Sequence, residues 1–130
     1  MSRTSAVWLG SALLAITAVF HLTGFSAIPA SPPIRDASSF YEAVLRPLWI
    51  FASIHWLLIA LVCVLASQLR SSATRIVLLC CGGGVLIDSA VLYWFIGSFI
   101  GVWLLAAAGV AMLVAASGNA WPKKADSERH

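Results

Sequence analysis

Charge is scarce in this sequence. Eight Lys or Arg and five Asp or Glu make up 10% of 130 residues, where a soluble domain carries roughly 25%. No nucleic-acid-binding surface can be assembled from so few cations. The catalytic signatures are missing too. There is no Gly-x-Ser-x-Gly elbow, no His-Glu-x-x-His zinc helix, no phosphate-cradling glycine loop followed by Lys, and no Cys-x-x-Cys-His for covalent haem. Gly82-Gly83-Gly84 lies inside an apolar run with no basic residue after it, so it is not a phosphate loop. Cysteine is limited to Cys63, Cys80 and Cys81, an odd count with no Cys-x-x-Cys spacing, which argues against a disulfide framework. The vicinal pair Cys80-Cys81 has the softness to hold copper(I) or mercury. The plainer expectation is small residues packed as hydrophobes.

What is present is apolar. Hydrophobic residues make up 61% of the chain, and mean hydropathy is +0.94. So short a chain cannot hide that much apolar surface from water, because small domains leave much of their surface exposed. Lipid is the solvent that fits. A helical crossing needs about 20 apolar residues, and four runs qualify, at about 6–25, 48–69, 76–96 and 99–117. Lipid offers the backbone no hydrogen bonds, so these runs are expected to be helices. The alternating ten-residue segments of a membrane β-barrel are absent. The expected fold is all-α, a four-helix transmembrane bundle forming one domain over 1–118, with a disordered charged tail over 119–130.

The punctuation agrees. Pro29, Pro32 and Pro33 follow the first run, and Pro47 opens the second, where its missing N–H does no harm. A polar turn at 68–72 and Gly97-Ser98 separate the later runs. Arg3, Arg70, Arg75, Lys123, Lys124 and Arg129 fall on one side, against Arg35 and Arg46 on the other. The positive-inside rule then places both termini inside, in a bacterial cytoplasmic membrane. Trp8 and Trp121 would mark the inner interface, Trp49 and Trp94 the outer one. A competing expectation makes the first run a signal peptide cleaved near Ala27 or Ala30. Its length and His21 count against that.

In the first outer loop, Ser38–Leu45 reads as a short amphipathic helix. Ser39 and Glu42 would form its capping box, and Phe40, Tyr41, Val44 and Leu45 its apolar face. It would act as a connector or as a lid. A faint repeat relates His55-Trp56-Leu57-Leu58 to Val102-Trp103-Leu104-Leu105.

Three ionisable residues lie well inside the runs: His21, His55 and Asp88. Such residues are costly in a membrane and point to function, with a named partner. At 1.5 Å per residue they lie about 6, 11 and 12 Å below the outer surface. Three helices thus bring them to the same half of the bilayer. His55 is the expected partner of Asp88 by depth, the two serving as proton donor and acceptor, with His21 approaching from above. Trp49, Trp56, Tyr93, Trp94 and Trp103 would wall the site and bind ligand with His21. Gly84 lies one turn below Asp88, and the three glycines would let another helix approach.

Several functions fit these residues. The pocket binds a small lipophilic or membrane-borne ligand, with or without proton transfer. Alternatively the His–Asp contact only ties helices together in an accessory subunit. Ala107, Ala111 and Ala115 are spaced for close helix contact, which would serve the bundle itself or bring such a subunit to a membrane partner or a second copy. Haem or a metal between His21 and His55, and proton-coupled transport through Asp88, are further readings. An apolar inner half counts against transport. The sequence names no cofactor and leaves enzymatic activity open.

Overall fold

A computed structural model describes residues 2–28, 36–69 and 71–118, apart from the side chains of Glu42 and Ser72. The chain is all-helical over this range: α1 (Arg3–Thr23), a 3-10 turn (Gly24–Ala27), α2 (Ala37–Leu69), α3 (Ser72–Ile96) and α4 (Ile100–Ser117). All four α-helices are long and apolar enough to cross a membrane. The proline-rich segment and the charged tail expected from the sequence lie outside the described residues, as does Trp121.

The helices are apolar on nearly every side, and many large hydrophobics face outward, among them Val19, Leu58, Leu65, Ile76 and Ile87. A helix of that kind is either buried or surrounded by lipid. The bundle has four sides, but they are unequal. Helix α1 packs broadly against α2 and α4, and α4 against α3, whereas α2 and α3 touch over a much smaller area. That weak fourth side is called the α2/α3 seam below. It is pinned near its turn by Thr74 Oγ1 donating to the Ala66 carbonyl at 2.8 Å.

The half of the bundle that holds the termini is tightly packed, and the reason is small residues. A Cβ on Gly109 would stand 2.9 Å from the Gly82 carbonyl oxygen, and one on Gly82 would stand 3.0 Å from that of Gly109. Only glycine allows α3 and α4 to come so near. On the other side of α4, a Cβ on Gly10 would lie 3.1 Å from the Ala108 carbonyl oxygen. Ala6, Val7, Leu14, Leu78, Ala108, Met112, Ala115 and Ala116 fill the core there.

The small residues expected to receive neighbouring helices do not all act alike. Gly83 and Gly84 have open space where a side chain would stand, so Gly82 alone of the three receives a neighbouring helix. The alanine stripe of α4 is likewise not one free face. Ala111 and Ala115 are buried in the bundle, while Ala107 is exposed. Successive i, i+4 positions advance by about 40° beyond a full turn, so eight residues carry the stripe from one face towards another.

One correction concerns the first loop. Ser38–Leu45 is not a separate helix but the opening of α2, which continues through Pro47 to Leu69. The expected Ser39–Glu42 box lies outside the described side chains. At the start of α2, Asp36 Oδ1 accepts from the Ser39 N–H at 2.8 Å, and the Ser39 hydroxyl accepts from the Asp36 N–H at 3.0 Å. This is the reciprocal capping pattern shifted three residues upstream. The exchange holds the Asp36 carboxyl below the usual range, through the Ser39 N–H first and the Ser38 hydroxyl second. Nor does the faint repeat equate its tryptophans, because Trp56 is buried and Trp103 exposed.

Candidate functional site

The ionisable residues gather at the opposite end of the bundle, where α1 meets α2 and α3 meets α4. They do so in two layers. His55 Nε2 of α2 stands 3.6 Å from Asp88 Oδ2 of α3 across the seam. That separation is beyond direct hydrogen-bonding range, and both side chains are partly exposed, at 47% and 35%. Phe51, one turn from His55, lies parallel to its ring at 6.3 Å between centroids. The expected pair is therefore together, on the outward edge of the seam.

His21 belongs to a different layer. Its ring is stacked on Trp49 at 4.0 Å and 15°, and meets the edge of Trp56 at 5.1 Å. Its Nδ1 is 3.0 Å from the Ser53 hydroxyl. Trp49 reaches past the ring to donate its indole N–H to the His21 carbonyl at 2.6 Å. One residue of α1 is thus gripped by three of α2: Trp49, Ser53 and Trp56. Positions 49, 53 and 56 follow helical spacing on one face, which is why a single helix can make all three contacts.

Trp56 joins the layers. It is almost wholly buried, at 4% exposure, yet carries a polar N–H that needs a partner. That N–H donates to Asp88 Oδ2 at 3.2 Å. The indole therefore has His21 on one side and the Asp88 carboxylate on the other. The two imidazoles have different partners, Ser53 for one and Asp88 for the other, with the indole touching the first and bonded to the partner of the second.

Beside His21 is a cavity of about 270 Å³, lined from all four helices. Thr17, Phe20 and Gly24 come from α1 and the turn after it, Trp49 and Trp56 from α2, Leu92 and Ile96 from α3, and Phe99 and Leu105 from the α4 side. His21 is its ionisable lining group, and Thr17 and Thr23 bring hydroxyls. Both are occupied with the chain itself: Thr17 donates to the Leu13 carbonyl at 2.8 Å and Thr23 to that of Phe20 at 2.6 Å. His55 and Asp88 do not line this space.

The expected aromatic wall divides accordingly. Trp49 and Trp56 line the cavity, whereas Tyr93, Trp94 and Trp103 border a separate groove on the outside of α3 and α4. Trp94 is 83% exposed, and the Trp103 N–H donates to the Ser98 hydroxyl at 3.0 Å. Sequence reasoning missed Ser53, Thr17, Phe20 and Phe99. Ser53 had a signal available, a hydroxyl in an apolar run two residues before a deep histidine.

The three cysteines are free and differ in their surroundings, with Cys63 buried. Cys80 is exposed, and Cys81, one position on, is partly buried. The vicinal thiols therefore do not share an environment, as a helical step of about 100° requires. Among the described residues, no three His, Cys, Asp or Glu gather in a way that suits a metal ion. The chain matches no known family model, and no curated protein or solved structure shows significant similarity to it.

Proposed function

We propose that this is a multi-pass protein of a bacterial cytoplasmic membrane, with both termini inside, whose outward-facing cavity binds one small lipophilic molecule. The observation that carries the reading is the cavity beside His21, mostly apolar, with one ionisable group, an imidazole held by Trp49 and Ser53. Ligand sites are mostly apolar with a few placed polar groups that fix orientation. The six cations on the terminal side support the orientation.

Hydrogen-bond accounting suggests what the ligand carries. Ser53 Oγ has a single proton, and the Trp49 carbonyl 3.4 Å away is its acceptor along the helix. We assign that proton to the Trp49 carbonyl, which makes His21 Nδ1–H the donor to Ser53 Oγ and leaves Nε2 with a lone pair. The ligand this tautomer favours brings a hydroxyl or N–H and an apolar body that lies against Trp49 and Phe20. In this reading His55 and Asp88 act through Trp56, setting the position of the cavity wall. A proton exchanged with ligand would pass through His21.

The alternative is an accessory subunit; of its alanine stripe, Ala111 and Ala115 are buried within the bundle and Ala107 is exposed. The test is binding of a fluorescent long-chain alcohol to the detergent-purified chain, read by energy transfer from tryptophan. The expected result is saturable one-to-one binding, abolished by Leu92→Trp, which fills the cavity, and weakened by His21→Leu. Binding that neither substitution changes would overturn the proposal.

A further inference from the structure

Arg46 is a cation that the ligand reading leaves unused, and it stands where the cavity reaches the end of the bundle. The cavity is lined there by Thr23 and Gly24 at the end of α1, Ile96 at the end of α3 and Phe99 just before α4. Helix α2 holds the 3-10 turn after α1 at three points. Trp49 lies against Gly24, where a Cβ would meet the indole at 2.8 Å. Three residues earlier, the Arg46 guanidinium lies over the Phe25 ring, 5.2 Å from its centroid. It also donates to the Ile28 carbonyl, from Nε at 3.3 Å and from Nη2 at 2.9 Å. Both bonds use one edge of the planar group. The other edge, formed by Nη1 and the second N–H of Nη2, has no partner among the described residues. The described acids are engaged elsewhere, Asp36 with Ser38 and Ser39, and Asp88 with Trp56 and His55.

We propose that the free edge of Arg46 takes the carboxylate head of a single-chain amphiphile whose body lies in the His21 cavity. This rests on the ligand reading above and narrows the ligand to a long-chain carboxylate. A guanidinium edge matches a carboxylate with two parallel bonds, and a fork already held in place loses little freedom on binding. One guanidinium balances the single charge of a carboxylate, whereas a phosphate monoester brings about −1.5 to −2. Position agrees. Arg46 precedes the apolar run that starts at 48, so a charged head stays at the membrane boundary while its chain enters the apolar space. Trp49, whose ring stacks on His21, follows Arg46 by about 4.5 Å along the helix. The hydroxyl or N–H offered to His21 therefore lies a few bonds from the head. Volume agrees as well. The cavity holds about 270 Å³, below the roughly 300–1,000 Å³ of sites for drug-sized ligands, which suits one chain and not the two of a phospholipid.

The test compares a fluorescent long-chain 3-hydroxycarboxylate with its methyl ester, which keeps the chain and the hydroxyl but loses the charge. Binding to the full chain in neutral detergent is read by energy transfer from tryptophan, at a pH where the acid is ionised. The acid is expected to bind about tenfold more tightly than the ester, and the two are expected to bind alike in Arg46→Gln. Arg46→Lys, which has a point charge in place of the fork, should lose most of the difference. Ester that binds as well as acid in the wild-type chain overturns the carboxylate head and leaves the cavity reading standing. Failure of both ligands to bind overturns the cavity reading, and this inference with it. An advantage for the acid that persists in Arg46→Gln also overturns the proposal. If Arg46→Gln does not elute as the folded chain, Arg46→Lys decides, and an undiminished difference there overturns the proposal. So does displacement of the acid by an equal mole fraction of anionic two-chain phospholipid, which would make Arg46 a contact for bulk lipid.

Discussion

The two halves of this bundle solve the same problem in opposite ways. In the terminal half, glycine and alanine let helices touch almost backbone to backbone, and little space is left. In the other half, tryptophan and histidine hold the helices apart, and a cavity lies between them. Lipid supplies no hydrophobic drive for helices to associate, so association relies on close packing and interhelical hydrogen bonds. The small-residue half exploits the first and the aromatic half the second. The comparison teaches that the bundle keeps open space at one end by packing the other end densely.

If so, the largest effect should come from spoiling the dense half. Gly109→Leu drives a side chain into the Gly82 carbonyl and the Leu86 side chain, which a Cβ would meet at 2.9 and 2.8 Å. Overpacking of this sort costs roughly 1–3 kcal/mol, occasionally more, and backbone cannot move aside cheaply. Thermal unfolding in detergent should show a large loss of stability, with most of the chain insoluble on expression. A Gly109→Leu protein as stable as wild type would mean that the α3–α4 approach is not what holds the bundle.

Trp56 is the next place to break the contrast. Trp56→Phe keeps a ring in the cavity wall but removes the N–H that Asp88 accepts. Interhelical polar contacts of this kind are worth about 0.6–2 kcal/mol in membranes, so a loss within that range is expected in an unfolding titration. Asp88→Asn retains an acceptor for the same N–H, and its cost should be the smaller of the two. Equal losses would assign the energy to the His55 contact instead.

Ser53→Ala should matter less for stability and more for the cavity. It removes one neutral hydrogen bond, about 0.5–1.5 kcal/mol, and frees the His21 ring to choose its tautomer. Alcohol binding is the sensitive measurement: weaker in Ser53→Ala, with melting nearly unchanged.

The smallest effect belongs to Asp36, outside both halves. Its carboxyl is held below the ordinary 3.8 by the cap. A folded-state value lower than the unfolded one means that the contribution is complete above about pH 4 to 5, and is lost as pH falls through the lowered value. Hydrogen exchange at the first turn of α2 should speed up on such acidification, and Asp36→Asn, which can still cap, should remove that dependence.

These residues also mark how far sequence reading reaches. Four helices were legible because an apolar run of that length has few other fates. The meeting of His55 and Asp88 was legible from depth alone, since both lie about seven to eight residues from the outer ends of their apolar runs. The separate engagement of His21 was not. Depth fixes height but not rotation, and it is rotation that turns His21 towards Ser53 rather than Asp88. The same gap hid which of three consecutive glycines meets a helix, and that Cys81 is partly buried while Cys80 is exposed. Trp56 could have been suspected, because a buried indole N–H beside a deep carboxylate at similar depth has an obvious partner. The extent of α2 was misread for a local reason: Pro47 marks a helix start well, yet here the cap lies eleven residues earlier at Asp36.

That long α2 has a mechanical side. Trp49, Ser53, His55, Trp56 and Cys63 ride on one rod, all beyond Pro47. The rod cannot rotate at one contact while standing still at another. A twist of one residue, about 100°, would unstack Trp49, part His55 from Asp88 and swing Cys63 off Met112 in the same stroke. Bending at Pro47, where one rung of the ladder has no N–H to give, would leave all of them in register. All five contacts therefore share the fate of the segment after Pro47, while Arg46, just before it, is tied separately to the Ile28 carbonyl.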